Sequence, residues 1–584
     1  MPPPRHPLTV VLLLAALAGT AHAGAGAVAT EHPAAAAAGA EILQAGGSAV
    51  DAAIATAAAV CVVHASSCGI GGGGFALVYQ ASGAVHALDF RERAPRGAAR
   101  ERYLEDGTPR PERTRRGGLA VAVPGEVAGW IALHARFGSL PRPAILAPAI
   151  RLARDGFRLG DAPHLARQIA RSADLLRADA GLRAVFLGPN GGVPTDDFVV
   201  RNPDLARTLE SVAQRGAGAF YRGTVAETIA GAVQARGGVL VTADLAAYEP
   251  VWRRPLAGSF RGRRILTFPP PGSGAIVLTI LGILAHDDLL ALGRQSPAGA
   301  HLVAAAMARA FADRAQHYGD PDFTDVPVAA LLAPARLAEL RRAIDRAGDE
   351  RPRADGAADA GTAHVSVVDA AGNAAALTTT INTGFGAGIL VPGTGVVLNN
   401  EMDDFVVAPG AANVYGLSGA APNVIEPGKR PQSSMSPTIV VRDGRPELVV
   451  GASGGPLIVS ATTQVLLDAV TFGTALPVAV AAPRVHDQGA PQPILVEAGV
   501  TAAIRERLAR GGHRVVAFPG LGAVSAVGLG ADGALRGGAD PRKDGGVCVA
   551  SAGDQTAEPS RVVCSRPGPT GAESPDTGDV EGER

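Results

Sequence analysis

The chain has 584 residues, enough for three or four units at ~150 residues each, and its 75 glycines and 44 prolines require many tight turns. A formal net charge of −1 gives no electrostatic basis for binding nucleic acid or an anionic membrane surface. Lysine occurs only as Lys429 and Lys543 while arginine is abundant, so no arginine is significant merely for being arginine.

The N-terminal stretch "MPPPRHPLTVVLLLAALAGTAHA" places Arg5 before an apolar run from Leu8 to Leu17 and ends on the small-x-small pattern Ala21-His22-Ala23. It predicts a secretory signal over residues 1–23, too short to span a membrane, and hence an exported, periplasmic or extracellular protein. No later segment is long and apolar enough for a stable span. The next stretch predicts two helices. Pro33 suits a first helical turn, Gly46-Gly47 a stop, and Ser48 with Asp51 a capping box. Phe75–Tyr79 and Val85–Phe90 predict strands joined at Ser82-Gly83. From Arg151 to Ala315 the pattern is mainly helical, broken by "FRGRRILTFPPPGSGAIVL", a strand entering a Pro/Gly loop. An arginine-rich helix from about Pro334 gives way to a small-residue linker ending at Gly361. Beyond Thr362 the pattern becomes β-rich and predicts a meander ending near Asp540. The tail from about 543 reads as polar, with Ser565–Arg584 disordered. Helices flanking sheet-like blocks on both sides of the linker predict a layered α/β fold, a four-layer sandwich.

Cys61, Cys68, Cys548 and Cys564 fit no zinc spacing, and an exported location permits disulfides. Cys548 and Cys564 are able to pair; Cys61 and Cys68 fit equally well as unpaired core thiols. The run "GIGGGGF" (Gly69–Phe75) lacks the lysine and hydroxyl of a phosphate loop and precedes a strand, so it predicts close approach of backbone to backbone. Gly454-Gly455 in "GASGGPLIVSATTQVLLDAV" precedes a helix-like run. Its N–H groups suit an oxyanion, although a plain turn explains it as well.

The junction at Gly361–Thr362 is the unusual one, because a polar linker runs straight into the first residue of a strand, with a turn at Asp369–Asn373 and a second strand after it. A strand threonine is ordinarily a packing or surface residue. If the chain is cut before Thr362, the freed α-amine has an unperturbed pKa of about 7.7–8.0 and acts as base for the hydroxyl of its own residue.

These features occur among blocks that resemble the γ-glutamyltranspeptidases, members of the N-terminal nucleophile hydrolase superfamily. The blocks include "EILQAGGSAVDAAIATA", "LDFRERAP", "AVPGEVAGW", "FADRAQHYGDPDF", "TAHVSVVD", "NTGFGAGI", "LNNEMDDF", "KRPQSSMSPTIV" and "GADPR", in family order from about Ala29 to Arg542. The resemblance implies an αββα sandwich built from two chains after self-cleavage, a large subunit 24–361 and a small subunit 362–584 forming a heterodimer. It implies Thr362 as nucleophile with Thr380 beside it, and Gly454 and Gly455 as oxyanion donors. Arg91, helped by Ser433 and Ser434, would take the substrate α-carboxylate; Glu401 and Asp404 would take the α-ammonium. Asn382 would help hold the substrate, and Tyr415, in the loop Pro409–Pro431, would gate the pocket. The implied reaction transfers a γ-glutamyl group from glutathione and similar compounds to water, amino acids or dipeptides, with no metal or organic cofactor. A related acylase for glutaryl-type amides and a scaffold without activity are the other readings. The sequence departs from the usual pattern at Ala363, Val365 and "GASGG".

Overall fold

The computed structural model describes residues 26–347, 353–354, 361–408, 410–530, 532–550 and 562–566. The signal segment, linker residues 355–360 and the chain beyond 566 lie outside these. The local signals near the start take the expected form. Helix α1 (Pro33–Gln44) begins on its proline, with the His32 ring accepting the Ala34 N–H. Helix α2 (Ala49–Val63) carries the complete Ser48/Asp51 capping box. The Asp369 carboxylate also accepts the Ala49 N–H at 3.0 Å, tying the start of α2 to the turn between two later strands.

Fourteen strands make two antiparallel sheets. In chain order they are β1 (Gly26–Thr30), β2 (Gly73–Tyr79), β3 (Val85–Phe90), β4 (Val251–Arg253), β5 (Leu256–Phe260), β6 (Arg263–Thr267), β7 (Ala363–Val368), β8 (Ala374–Thr380), β9 (Thr438–Arg442), β10 (Arg445–Ser453), β11 (Ala523–Leu529), β12 (Leu535–Ala539), β13 (Gly546–Ala550) and β14 (Val562–Ser565). The first sheet runs β14-β13-β1-β7-β8-β2-β3-β4 and the second β12-β11-β10-β9-β6-β5. Side-chain alternation sorts the faces. Phe75, Leu77 and Tyr79 join Ile439, Val449 and Val527 in a core between the sheets, whereas Ala76 and Val78 face α2 and its neighbours. The outer layer on the first sheet contains α1, α2, α3 (Glu126–Phe137), α4 (Arg142–Asp155) and α5 (Pro203–Arg215). On the second sheet lie α6 (Gly274–Leu284), α7 (Pro297–His317), α8 (Pro334–Ala347), α9 (Leu457–Phe472) and α10 (Leu476–Ala481). The result is the four-layer αββα sandwich.

Three expectations are corrected. Strands β4 and β5 occupy part of the run expected to be helical, where Leu256–Phe260 pairs with β6 and β4 completes the edge of the first sheet. The β structure does not end near Asp540. Strand β13 pairs with β1 and β14 pairs with β13, so the supposed tail supplies an edge of the sheet that also holds β7, the strand after Thr362. Both cysteine pairs are bonded, Cys61 to Cys68 and Cys548 to Cys564, so Cys61 and Cys68 are not free core thiols. No helix among the described residues is long and apolar enough to cross a membrane.

Candidate active site

The glycine run is a backbone-packing device. A Cβ on Gly72 would stand 1.9 Å from the Thr380 carbonyl oxygen, and one on Gly74 2.1 Å from that of Thr378. Only glycine lets β2 approach β8 this closely, which fixes the end of β8 where Thr380 sits.

Thr362 immediately precedes β7, whose Ala363 pairs with Thr379 of β8. Thr362 Oγ1 lies 3.0 Å from Thr380 Oγ1, and the Asn382 N–H donates to Thr380 Oγ1 at 2.8 Å. In this uncut chain Thr362 has φ of +98°, a left-handed value that a β-branched residue adopts only under constraint. The constraints are visible. The Thr362 N–H donates to the Ser67 carbonyl at 2.9 Å, and Lys543 Nζ donates to the Thr362 carbonyl at 2.8 Å while pairing with Glu31. Gly361 is wedged in, since a Cβ there would meet the Asn382 carbonyl oxygen at 2.5 Å.

The charged residues assigned to substrate form one buried cluster. Arg91 is fully buried, with Nη1 2.5 Å from Glu401 and Nη2 2.5 Å from Asp404. Its remaining donors reach the carbonyls of Pro431 and Gln432 and the Glu92 carboxylate. Asn399 sets the 3-10 turn Glu401–Asp404, accepting the Glu401 N–H and donating to the carbonyls of Gly71 and Ala122. Asn382 joins the two halves of the site by donating to the Asn400 carbonyl at 3.0 Å. Ser433 and Ser434 are buried beside Gln432, with the Ser433 N–H held by the Pro271 carbonyl.

Gly454 and Gly455, both at positive φ, lead from β10 into α9. Among the described residues neither N–H donates to a backbone carbonyl. Strand β10 packs on β7, and Gly451 lies so close to His364 that a Cβ would stand 2.3 Å from the ring. The buried Tyr415 hydroxyl donates to Asn382 Oδ1 at 2.5 Å and lies 3.1 Å from the Asn382 carbonyl. Asp403 and Asp404 hold the flanking segment through the Val414 N–H and the Asn413 side chain.

The pattern of gamma-glutamyltranspeptidases matches residues 35–550. The chain belongs to that family. It is 39% identical over 502 residues to the glutathione hydrolase proenzyme of Escherichia coli (strain K12), covering 84% of this chain and 85% of that protein. It is 38% identical over 539 residues to the acylase ACY 1 proenzyme of Pseudomonas sp. (strain SE83), covering 90% and 94%. Among solved structures it resembles a cephalosporin acylase from Bacillus halodurans, with a TM-score of 0.79 and 31% identity over 90% of this chain and 96% of that one.

Burial sets the electrostatics of this gamma-glutamyltranspeptidase site. It pushes the Glu401 carboxyl well above the usual range against the pull of Arg91, and raises Glu92 to about 7. Burial opposes the Arg91 charge, but Glu401, Asp404 and Glu92 outweigh it and hold the guanidinium above its ordinary value. His364, fully buried, is lowered to about 3 and stays neutral. Ser366 donates to the Ser525 carbonyl and so accepts from His364 Nε2, leaving Nδ1 to accept from Thr378. Sequence reasoning missed Ser67, Lys543, Glu31 and Asn400. Only Lys543 carried a signal, as one of two lysines in the chain.

Proposed function

We propose that this enzyme cuts itself between Gly361 and Thr362 and then transfers γ-glutamyl groups from glutathione and similar amides. The observation that carries the reading is the buried Arg91–Glu401–Asp404 set, linked through Asn400 and Asn382 to the Thr362–Thr380 pair. A γ-glutamyl group presents a carboxylate and an ammonium three carbons from its reacting carbonyl. An arginine fork and two acids match that zwitterion, and substrate entry exchanges their mutual ion pairs for pairs with the ligand. The strained φ at Thr362 favours cutting, because φ ceases to exist as a backbone constraint once the preceding carbonyl is gone.

After cutting, the α-amine of Thr362 takes the hydroxyl proton as Oγ1 attacks the γ-carbonyl. Thr380 steadies the charge developing on Oγ1, and the Gly454 and Gly455 N–H groups receive the oxyanion. The proton passes to the departing amine, which leaves a γ-glutamyl ester on Thr362. Water, or the amine of an amino acid or dipeptide, then attacks the ester; the attacker's proton returns through the α-amine and Thr362 is regenerated. Tyr415 controls which acceptor enters. Ser433 and Ser434 complete the carboxylate pocket with Arg91. The products of the cut remain together as a heterodimer, and the signal at residues 1–23 directs the protein to the periplasm or the outside.

A glutaryl-amide acylase is the second reading, favoured by the resemblance to the two acylases. Rates on a chromogenic γ-glutamyl anilide and its glutaryl counterpart separate the two. A glutaryl donor leaves Glu401 and Asp404 without an ammonium, so it should be turned over at least ~100-fold more slowly. Equal rates would transfer the function to the acylase reading.

A further inference from the structure

Thr362 hangs from a loop that a disulfide closes. The Ser67 carbonyl accepts the N–H of Thr362 at 2.9 Å and of Ile381 at 3.2 Å, and the Ser66 carbonyl accepts that of Phe385 at 3.0 Å. Both serines lie between Cys61, in the last turn of α2, and Cys68, to which it is bonded. The loop is further held by the Ser67 N–H on the His64 carbonyl at 2.7 Å. Ser67 Oγ also lies 3.4 Å from His164 Nε2. Nothing in the chemistry of acyl transfer requires a disulfide here, yet it fixes the acceptor of the nucleophile's own nitrogen.

We propose that the Cys61–Cys68 bond is a positioning device for the reaction: it holds the Ser67 carbonyl so that the freed α-amine of Thr362 points its lone pair at its own hydroxyl. This rests on Thr362 being an N-terminal nucleophile. A terminal amine rotates freely about its N–Cα bond, and only some rotamers place the lone pair toward Oγ1. A fixed carbonyl that takes one N–H removes that freedom before reaction, the same gain that any pre-oriented base provides. The same hydrogen bond is stronger to an ammonium than to an amine, so it also raises the amine's pKa. The other charged or titratable groups around this nitrogen are Lys543 on the Thr362 carbonyl, Glu31 paired with Lys543, His64 on Asp544, and His164 and His32 against the His64 ring. Of these, His64 lies within the Cys61–Cys68 loop, and the others belong to segments outside it.

The test compares wild type, Cys61→Ala/Cys68→Ala and, as control, Cys548→Ala/Cys564→Ala. Each is assayed on the γ-glutamyl anilide from about pH 5 to 10. For the Cys61/Cys68 variant the expectation is a kcat lower by roughly tenfold, a KM within about twofold, and an acidic limb of kcat shifted down by about half a pH unit. The control should match wild type in all three. If the Cys61/Cys68 variant stays uncut, the processed control protein is treated with a dithiol instead. The dithiol delivers two electrons and two protons to the Cys61–Cys68 bond, giving two thiols and the cyclic disulfide of the reagent. The thiols are alkylated and mapped by mass spectrometry, and the same changes are expected. A wild-type kcat and limb after loss of the bond would overturn the proposal, as would a fall in kcat with the limb unmoved, the result of a merely structural staple. The donor assignment fails separately. If only the glutaryl anilide is turned over, the same profile is read with that donor and still reports the amine.

Discussion

Thr380 Oγ1 stands 3.0 Å from Thr362 Oγ1 and takes the Asn382 N–H at 2.8 Å on the same oxygen. The second contact fixes the Thr380 rotamer, so in the proposed reaction its hydroxyl would steady charge on Thr362 Oγ1. Thr380→Val keeps the β-branched shape and removes this group. It should lower kcat by roughly 10–100-fold with KM little changed, the pattern of an interaction made in the transition state. Steady-state kinetics with a wild-type kcat would remove Thr380 from the mechanism.

Arg91→Lys keeps a positive charge and loses the fork. One ammonium cannot meet both Glu401 and Asp404 at the present 2.5 Å and also offer two parallel donors to a carboxylate. The expected loss in kcat/KM is roughly 2–4 kcal/mol, or about 30–1000-fold. Kinetics on the γ-glutamyl anilide within a factor of two or three of wild type would show that Arg91 does not anchor the substrate.

The parts of the fold legible in the sequence were those governed by near neighbours. The Ser48/Asp51 box, the Asp369–Asn373 turn and the alternation of Phe75–Tyr79 each depend on residues within a few positions, and each is found. What was not legible depends on distant partners. Lys543 reaches Glu31 across 512 positions, and no local pattern marks either as lying beside Thr362. Strand β13 is five residues beyond a loop of Gly, Asp and Lys, so its pairing with β1 is invisible until β1 is in place. The site residues were found through the family blocks, not the physics of single residues. Taken alone in the sequence, Arg91, Glu401 and Asp404 read as ordinary surface charges; the structure instead buries Arg91 and Glu401 and pairs Arg91 with both acids.

Tyr415→Phe tests the lid. The hydroxyl bonds Asn382 through both its side chain and its carbonyl, whereas the ring is buried in the hydrophobic cluster that also holds Leu417 and Met435. The variant keeps the ring and releases the latch, so water should enter the acyl-enzyme more often. The share of hydrolysis over transfer should rise by roughly 2–5-fold while self-cleavage proceeds as before. Product analysis with a dipeptide acceptor that gives an unchanged ratio would make the segment a passive covering.

Glu126 gives a pH signature of stability. Burial raises its pKa to about 8, against the Thr379 hydroxyl that donates to it at 2.6 Å. An acid with a raised folded pKa supports the fold below its unfolded pKa, and that support is lost as pH rises from there through about 8. Glu126→Gln keeps the shape and cannot ionise. Between pH 5 and pH 8 the variant's Tm should therefore fall less than that of wild type, by roughly 2–5 °C. Parallel Tm curves would mean that Glu126 does not hold its proton in the folded protein.

The position of Thr362 carries the largest consequence. Its hydroxyl faces Thr380, its nitrogen is held by Ser67, its carbonyl by Lys543, and its φ of +98° is a strained backbone conformation for a threonine. If the signal is removed after Ala23, cutting before Thr362 yields fragments of ~34 and ~22 kDa, at about 100 Da per residue for this small-residue composition. The smaller fragment should begin Thr-Ala-His-Val. Thr362→Ala lacks the attacking oxygen and should remain one uncut, inactive chain. Thr362→Ser keeps a hydroxyl but lacks the methyl that fixes χ1, so it should cut itself slowly and retain part of the activity. In the wild type, activity should rise with pH as the α-amine loses its proton, near its free value of about 7.7–8.0, since Lys543 lowers its pKa while the Ser67 carbonyl raises it. A Thr362→Ala chain that still appears as two bands and turns over the anilide would place both reactions on another residue.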